Sequence, residues 1–526
     1  MDKINFKLRR NLFLLGIVIV MVSIYCQRDV TPGNELKYMS IVDDAISKNN
    51  YFVFYNQGVA YADKPPLYFW IIMLIKKIFG YYSAVGIGLF SIIPTIITSF
   101  SMKNLTKDHL NEEESFLAMG MLLTTILFLG MALTLRMDIL MTMFIILALE
   151  SFYKIYHGEN KSYHIYLMYF YIFLGVFTKG PVGMIFPIIT IGLFLFREKK
   201  LKLLKELKLL KGLILLLILF LGWFIAIYLE GGKSYLYDLT INQTIGRTHN
   251  SFSHAEPFYY YFKVIWVDFL PWSLLFIGTF IISFKKKLEK ISIERFLSSA
   301  IIGHIVIMSL ISGKLELYLI PIYPFITFYT ILIIKKINQE KVWQGSILPF
   351  SIIMTFILPI YLIVSKFIKL PIGSSISLYI GLLLASMFGV ISLIGIKKIK
   401  FYQGCWGIIL GMLILLFTLS FKIPEINKDL GLKVLATNGK EVFKGGNLKN
   451  YYSFNFRSAS GMDVYLGEKV IDLKDIKDLK KIITNKQIVL FVRSKDVKRN
   501  KDLVRILDNM HFIWRSNKYV LYTNKK

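Results

Sequence analysis

Apolar runs alternate with short charged stretches along most of the chain. Thirteen runs of roughly 16–20 residues are apolar enough to cross a bilayer as helices. Their limits are 11–26, 83–102, 116–133, 138–155, 163–177, 181–196, 212–229, 266–284, 296–311, 317–334, 346–364, 376–395 and 405–421. Beyond residue 421 the material changes. Strand-like runs (Gln487–Val492, Lys518–Tyr522) alternate there with helix-like runs such as Asp472–Ile483, in polar, mixed-charge sequence. The pattern predicts an all-α polytopic membrane domain over 1–421 and a small α/β domain over 422–526.

Composition agrees, since 55% of the 526 residues are hydrophobic, more than a soluble fold of this length needs. The net charge of +29 does not call for nucleic acid. Its lysines and arginines sit in every second loop, where the positive-inside rule places them, beside anionic lipid headgroups. The basic N-terminus (Lys3, Lys7, Arg9, Arg10) goes inside, and 11–26 reads as a retained first helix, since no small-x-small cleavage site follows it. Loops 197–211 and 285–295, Lys335-Lys336, and Lys397-Lys398-Lys400 share that side. Loop 103–115 is the weakest case, because Glu112 to Glu114 offset its lysines. Loops 27–82, 134–137, 178–180, 230–265, 312–316 and 365–375, with the tail, then face outward, away from the cytoplasm. Cys26 and Cys405 fall near opposite faces, which excludes a disulfide between them.

The outward set gathers the unusual polar residues: Arg28, Asp29, Glu35, Asp63, Lys64, Arg136, Asp138, Lys179, Arg247, His249, His254, Glu256, Lys314 and Tyr318. That one-sided clustering points to an active site in which loops 27–82 and 230–265 form one face. Tyr61–Trp70 is its densest part, with an Asp-Lys pair, two prolines and aromatics beside a membrane, where charge is costly unless used. The prolines break any helix and set the direction of the next. Two amphipathic segments flank this stretch and suit the membrane interface. Glu35–Ser47 places Leu36, Met39, Val42 and Ile46 on one side, and Leu67–Phe79 has Trp70, Met73, Leu74 and Ile78 apolar against Lys76-Lys77.

In order and spacing, several motifs carry a resemblance. They are Arg28-Asp29 with Asn34-Glu35-Leu36-Lys37-Tyr38, Tyr61-Ala62-Asp63-Lys64-Pro65-Pro66-Leu67, and Arg136-Met137-Asp138. Thr178-Lys179-Gly180-Pro181, Asn242-Gln243 with Arg247, Pro271-Trp272, and Lys314 with Tyr318-Leu319-Ile320-Pro321 and Tyr323-Pro324 follow. Over roughly residues 1–420 the chain resembles the bacterial branch of the dolichyl-phosphate-mannose–protein mannosyltransferase family, which includes the lipid A aminoarabinose transferase. The resemblance implies a GT-C glycosyltransferase with a polyprenyl-phosphate-sugar donor, an acceptor that is an envelope lipid, glycan or protein, and inversion at the anomeric carbon. It implies a multi-pass protein of the cytoplasmic (inner) membrane with its site on the extracytoplasmic face. Asn34 stands where members of the family often have Asp, which leaves Asp29 and Glu35 as candidate acids of the first loop.

Sugar transfer from a phosphate carrier needs a carboxylate to take the proton of a hydroxyl acceptor. It also needs cations to hold the leaving phosphate. The candidate acids are Asp29, Glu35, Asp63 and Asp138, and the candidate phosphate ligands are Lys64, Arg136, Lys179, Arg247, Lys314 and Tyr318. Each has a structural alternative. Asp63-Lys64 could pin a loop, Asp29 could pair with Arg28, Glu35 could serve a helix N-terminus, and Asp138 could mate with Arg136. Lys179 and Lys314 could reach headgroups, Arg247 could be a solvated charge, and Tyr318 could be a belt aromatic. No cofactor is required by the pattern. A divalent metal ion near the loop acid has only loosely spaced candidates in Asp63, His249, His254 and Glu256. His304, mid-span, reads as an interhelical donor. A transporter or flippase of a lipid-linked sugar is the competing class. It would place ionisable groups at mid-membrane and show internal repeats, and neither is seen. An O-antigen ligase would carry a very large outer loop in its C-terminal half and lack the Asp-Lys-Pro-Pro stretch.

Overall fold

The computed structural model describes residues 2–159, 161–245, 255–337, 340–368, 373–398, 400–443 and 450–525. All thirteen predicted runs fall on helices. Among the described residues, eight single helices are long and apolar enough to span a bilayer, and two more spans form if each of two bent pairs counts as one. The other three runs, Lys161–Lys179, Val182–Arg197 and Ser273–Lys285, are helical but shorter or more polar. The protein is a multi-pass membrane protein, and by length and apolarity alone its described residues hold eight to ten crossings.

The breaks have local causes. Glu112–Thr124 and Ile126–Ala132 meet at 73°. Thr125 is extended there, and the Ile126 N–H donates to Leu270 O (2.9 Å) instead of up its own helix. The predicted run 266–284 is two helices, Tyr260–Asp268 and Ser273–Lys285, separated around Pro271, whose nitrogen has no proton to donate.

Two shorter helices lie in the loop after the first span. Asn34–Lys48 buries Leu36, Met39 and Val42, as the pattern predicts, and leaves Ile46 exposed. Leu67–Phe79 starts directly after Pro66 and buries Tyr68, Phe69, Ile71, Ile72, Met73 and Ile75, while Leu74 and Ile78 stay exposed. Between the helices runs a small hairpin, β1 (Tyr55–Asn56) and β2 (Val59–Ala60). Gln57 (φ 55°) and Gly58 (φ 85°) form its turn, with the positive φ values that tight two-residue hairpins require.

The C-terminal part forms a five-stranded sheet in the order β4-β3-β5-β7-β6. Its strands are β3 (Tyr451–Phe454), β4 (Val470–Leu473), β5 (Val489–Arg493), β6 (His511–Arg515) and β7 (Tyr519–Thr523). β3 runs parallel to β4 and β5, and β7 is antiparallel to β5 and β6. The two predicted strands are β5 and β7. The predicted helix at 472–483 begins only at Ile476, because Asp472 belongs to β4 and Asp475 caps the helix by accepting from Lys477 N–H. Between β3 and β4, the short helical segment Arg457–Leu466 leaves the sheet and packs on Asn34–Lys48. Cys26 and Cys405 are both free thiols.

Candidate functional site

A cavity of about 780 Å³ opens where loop 27–82, the ends of several spans and the C-terminal segment meet. Its polar lining includes Lys37, Asp63, Lys64, Arg136, Lys179 and Arg457, with Tyr38, Tyr61 and Tyr318 between them. Apolar Val182, Ile185, Met308, Ile311 and Leu317 complete one side. Half of the lining is thus suited to an anion and half to an alkyl chain.

Asp63 and Lys64 stand at the mouth of the Pro-Pro step. Lys64 Nζ lies 3.1 Å from Asp63 Oδ2, and the Tyr61 hydroxyl donates to the same oxygen (3.0 Å). The loop is held from behind by helix Leu209–Tyr237. The Glu230 carboxylate accepts from the N–H groups of Tyr51 (2.7 Å), Phe52 (3.1 Å) and Val53 (3.2 Å). The Tyr235 hydroxyl accepts from Phe54 N–H (3.1 Å) and donates to Tyr61 O (2.9 Å).

Asp138 lies under the cavity floor, with no exposed surface, at the first turn of its helix. It accepts from Arg136 Nε (3.0 Å) and pairs with Lys179 Nζ. Lys179 ends its helix at Gly180, whose φ of 113° suits glycine, and the next helix starts two residues later. The return is this tight because Gly183 lies against Gly175, where an added Cβ would sit 2.2 Å from a backbone carbon. Lys179 Nζ is 5.3 Å from the Tyr318 ring centroid, a cation–π contact. The ring of His304 sits behind, with Nε2 2.6 Å from Tyr318 O, the interhelical role its position predicts.

The structure separates the other candidates from this group. Glu35 is buried and fully engaged: it pairs with Arg28 and accepts from Thr31 N–H (2.8 Å) and Leu135 N–H (2.8 Å). It fixes the loop carrying Arg136 rather than facing the cavity. Asp29 does not line the cavity either. It lies against Gly431, its N–H donates to Asn427 Oδ1 (3.0 Å), and its Oδ2 has no hydrogen-bond partner among the described residues. Burial raises its carboxyl above the ordinary range, while Lys433 and Arg28 oppose the shift. Lys314 is buried and donates to Glu256 O (2.9 Å) and Ile311 O (2.6 Å), tying Glu256 to the 311–314 stretch. Arg247, His249 and His254 lie outside the described residues. Glu256 is exposed, and its N–H donates to Ser312 O (3.2 Å). No three His, Cys, Asp or Glu side chains come together among the described residues. The described cavity lining offers Asp63 as its one carboxylate among five cations, a poor donor set for a divalent ion.

Sequence reasoning missed Lys37 and Arg457 as lining residues. The Lys37 ammonium lies 4.9 Å from the Tyr61 ring centroid. Burial pulls its pKa below the ordinary lysine value; Asp63 opposes this, and Lys64, Arg457 and Arg136 add to it. Its position in the motif next to Tyr38 was the available signal. Arg457 comes from the far end of the chain, and nothing in the local sequence marks it.

Residues 63–225 match the model of the family described as dolichyl-phosphate-mannose-protein mannosyltransferase, beginning at the cavity acid itself. An uncharacterized protein of Aquifex aeolicus (strain VF5) is 25% identical over 343 residues, 64% of this chain and 66% of that protein. The undecaprenyl phosphate-alpha-4-amino-4-deoxy-L-arabinose arabinosyl transferase of Yersinia pestis (strain Pestoides F) is 24% identical over 318 residues, 59% of this chain and 56% of that protein. The matches therefore span somewhat under two thirds of these relatives' own length. The crystal structure of ArnT from Cupriavidus metallidurans bound to undecaprenyl phosphate superposes with a TM-score of 0.75 at 14% identity, covering 97% of both chains. Its apo form gives 0.76 at 13% identity, covering 100% of this chain and 99% of the other. At such identity the likeness carries the fold alone, a helical membrane domain with a small C-terminal sheet.

Proposed function

We propose that the chain is an integral-membrane glycosyltransferase of the dolichyl-phosphate-mannose-protein mannosyltransferase family, whose model matches residues 63–225. It moves a sugar from a polyprenyl-phosphate donor to an envelope lipid, glycan or protein. The observation that carries this reading is the convergence of Lys37, Lys64, Arg136, Lys179 and Arg457 on a half-apolar cavity beside Asp63. The relatives' names and the undecaprenyl phosphate in the matching crystal structure supply the donor class.

In this reaction the acceptor oxygen attacks the anomeric carbon from the face opposite the phosphate. The carbon–oxygen bond to the carrier breaks with inversion, and the electron pair leaves on polyprenyl phosphate. Lys64 and its neighbouring cations stabilise that charge. Asp63 takes the proton of a hydroxyl acceptor. If the acceptor is itself a phosphate no base is needed, and Asp63 serves to orient Lys64. Asp138 holds Arg136 and Lys179 in place from below.

The reading includes topology and domain division. Helix Val182–Arg197 starts at the cavity and ends in basic loop 197–211, a rise of roughly 24 Å for 16 residues. The positive-inside rule then puts the cavity and the domain over 422–526 on the extracytoplasmic side of the cytoplasmic membrane, with 1–421 as the membrane domain. The test is transfer by the purified protein from a radiolabelled polyprenyl-phosphate sugar. Asp63→Ala and Lys64→Ala are expected to abolish it with membrane insertion intact. Normal turnover in both would remove the pair from the mechanism. Mass spectrometry of envelope lipids and glycans, with and without the gene, identifies the acceptor.

A further inference from the structure

One carboxylate of the C-terminal domain, Asp463, bonds to two elements of the first loop. Asp463 Oδ2 accepts from the Ser40 hydroxyl (2.6 Å) on helix Asn34–Lys48 and from Gln57 Nε2 (2.8 Å) at the turn of the β1–β2 hairpin. Its other oxygen accepts from Val464 N–H (2.8 Å). Gln57 also donates to Ser460 O (3.2 Å). The contact is close-packed, since a Cβ on Gly461 would sit 3.0 Å from Leu36 Cγ. The hairpin so held leads within three residues of its last strand residue, Ala60, to Asp63, and the same C-terminal segment places Arg457 in the cavity wall. Helix Leu209–Tyr237 holds the base of this loop through Glu230 and Tyr235, whereas Asp463 holds its tip.

We infer that the C-terminal domain is a positioning element of the transfer site, acting through Asp463 on the Gln57 turn and thereby on the Asp63-Lys64 pair. This rests on the glycosyltransferase reading for its consequence but not for its geometry. Asp463 touches no reacting atom. Its hydrogen bonds fix where the hairpin tip sits, and a shift of about 1 Å in a catalytic group is enough to cost on the order of a hundredfold in rate. Burial raises the Asp463 carboxyl above its ordinary range, Ser40, Val464 and Gln57 donors oppose that, and Asp43 adds to it.

The test uses the full chain in detergent with three variants. Asp463→Ala removes both legs of the contact. Gln57→Ala removes only the hairpin leg, at a surface turn, and guards against a folding defect. Asp463→Asn keeps one oxygen for the two side-chain donors. Hydrogen–deuterium exchange over residues 55–64 should rise in both alanine variants and stay near wild type in Asp463→Asn, with exchange over 285–300 unchanged. Turnover of the polyprenyl-phosphate sugar should fall about tenfold or more in the alanine variants, with a smaller change in donor KM, and recover in Asp463→Asn. A merely structural contact would lower the melting temperature and leave exchange over 55–64 and turnover per folded molecule at wild-type values, which would overturn the inference. A wild type that transfers no sugar would instead sink the functional reading, and the exchange data would still decide this one.

Discussion

At the end of the bundle that carries the basic loops, four acids each have cations against them. Arg197 pairs with Glu289 and donates to Ser298 Oγ (2.7 Å), and Arg295 pairs with Glu198. Lys335 lies 2.9 Å from Glu114, and Lys336 donates to Glu294 Oε2 (2.6 Å). Tyrosines close the remaining valences, Tyr329 on Glu289 (2.6 Å) and Tyr156 on Glu198 (3.0 Å). Around the cavity itself, the five cations of the described lining meet two carboxylates, Asp63 in the wall and Asp138 beneath the floor. Both ends concentrate charge beside a membrane. In the first set each acid is met by a cation, which is what a joint between helix ends needs; the cavity lining keeps cations in excess of carboxylates, which is what an anion brings to completion.

The sharpest way to break this contrast is to remove one lysine from each end. Lys64→Ala should reduce transfer by at least a hundredfold, on the order of what an electrostatic group in a transition state supplies, while thermal stability stays at wild type. Lys336→Ala should do the reverse, lowering the melting temperature with turnover per folded molecule unchanged. Parallel thermal unfolding and transfer assays decide it, and equal activity losses in the two would erase the distinction. Glu35→Gln comes next. This acid lies at the cavity end but is bonded as the acids of the other end are, with one charged and two backbone donors. Its loss should destabilise by about 1–3 kcal/mol, the cost of leaving buried donors unmet, and disturb Arg136 through the 133–137 loop. A stable Glu35→Gln with abolished transfer would return it to the catalytic acids.

Legibility in the sequence follows the same division. Apolar runs report helices with a buried or lipid-facing side, so every predicted run falls on a helix, but a pattern of hydrophobicity does not register the break at Thr125, where a backbone N–H goes to Leu270. The Asp63-Lys64-Pro-Pro stretch is legible because charge and proline there have no cheap structural use. Asp29 and Glu35 are both acids of the same loop, and only the three-dimensional partners reveal that Glu35 is consumed in holding a loop. Lys314 misleads for the same reason, since a lysine donating to two carbonyls looks like any other lysine in one dimension. Arg457 is illegible because it reaches the cavity by folding of a segment more than three hundred residues from Asp63.

Lys37 gives the smallest and most discriminating effect. Its amine is held below the ordinary lysine value, first by burial and then by neighbouring cations, so it sheds its proton at a lower pH than an exposed lysine would. Binding an anion favours the protonated form, and linkage requires that anion affinity fall as pH rises through the lowered value. Titrating undecaprenyl phosphate against the full chain should therefore show affinity declining severalfold with rising pH over a range below that in which ordinary lysines titrate. Lys37→Arg keeps its charge throughout that range and should flatten the curve, with little change at neutral pH. Lys336→Arg, paired with Glu294 at the other end, should leave the curve where it was. If Lys37→Arg retained the alkaline decline, the cavity charge sensed by the anion would belong to the other cations, and Lys37 would be part of the wall rather than of the anion site.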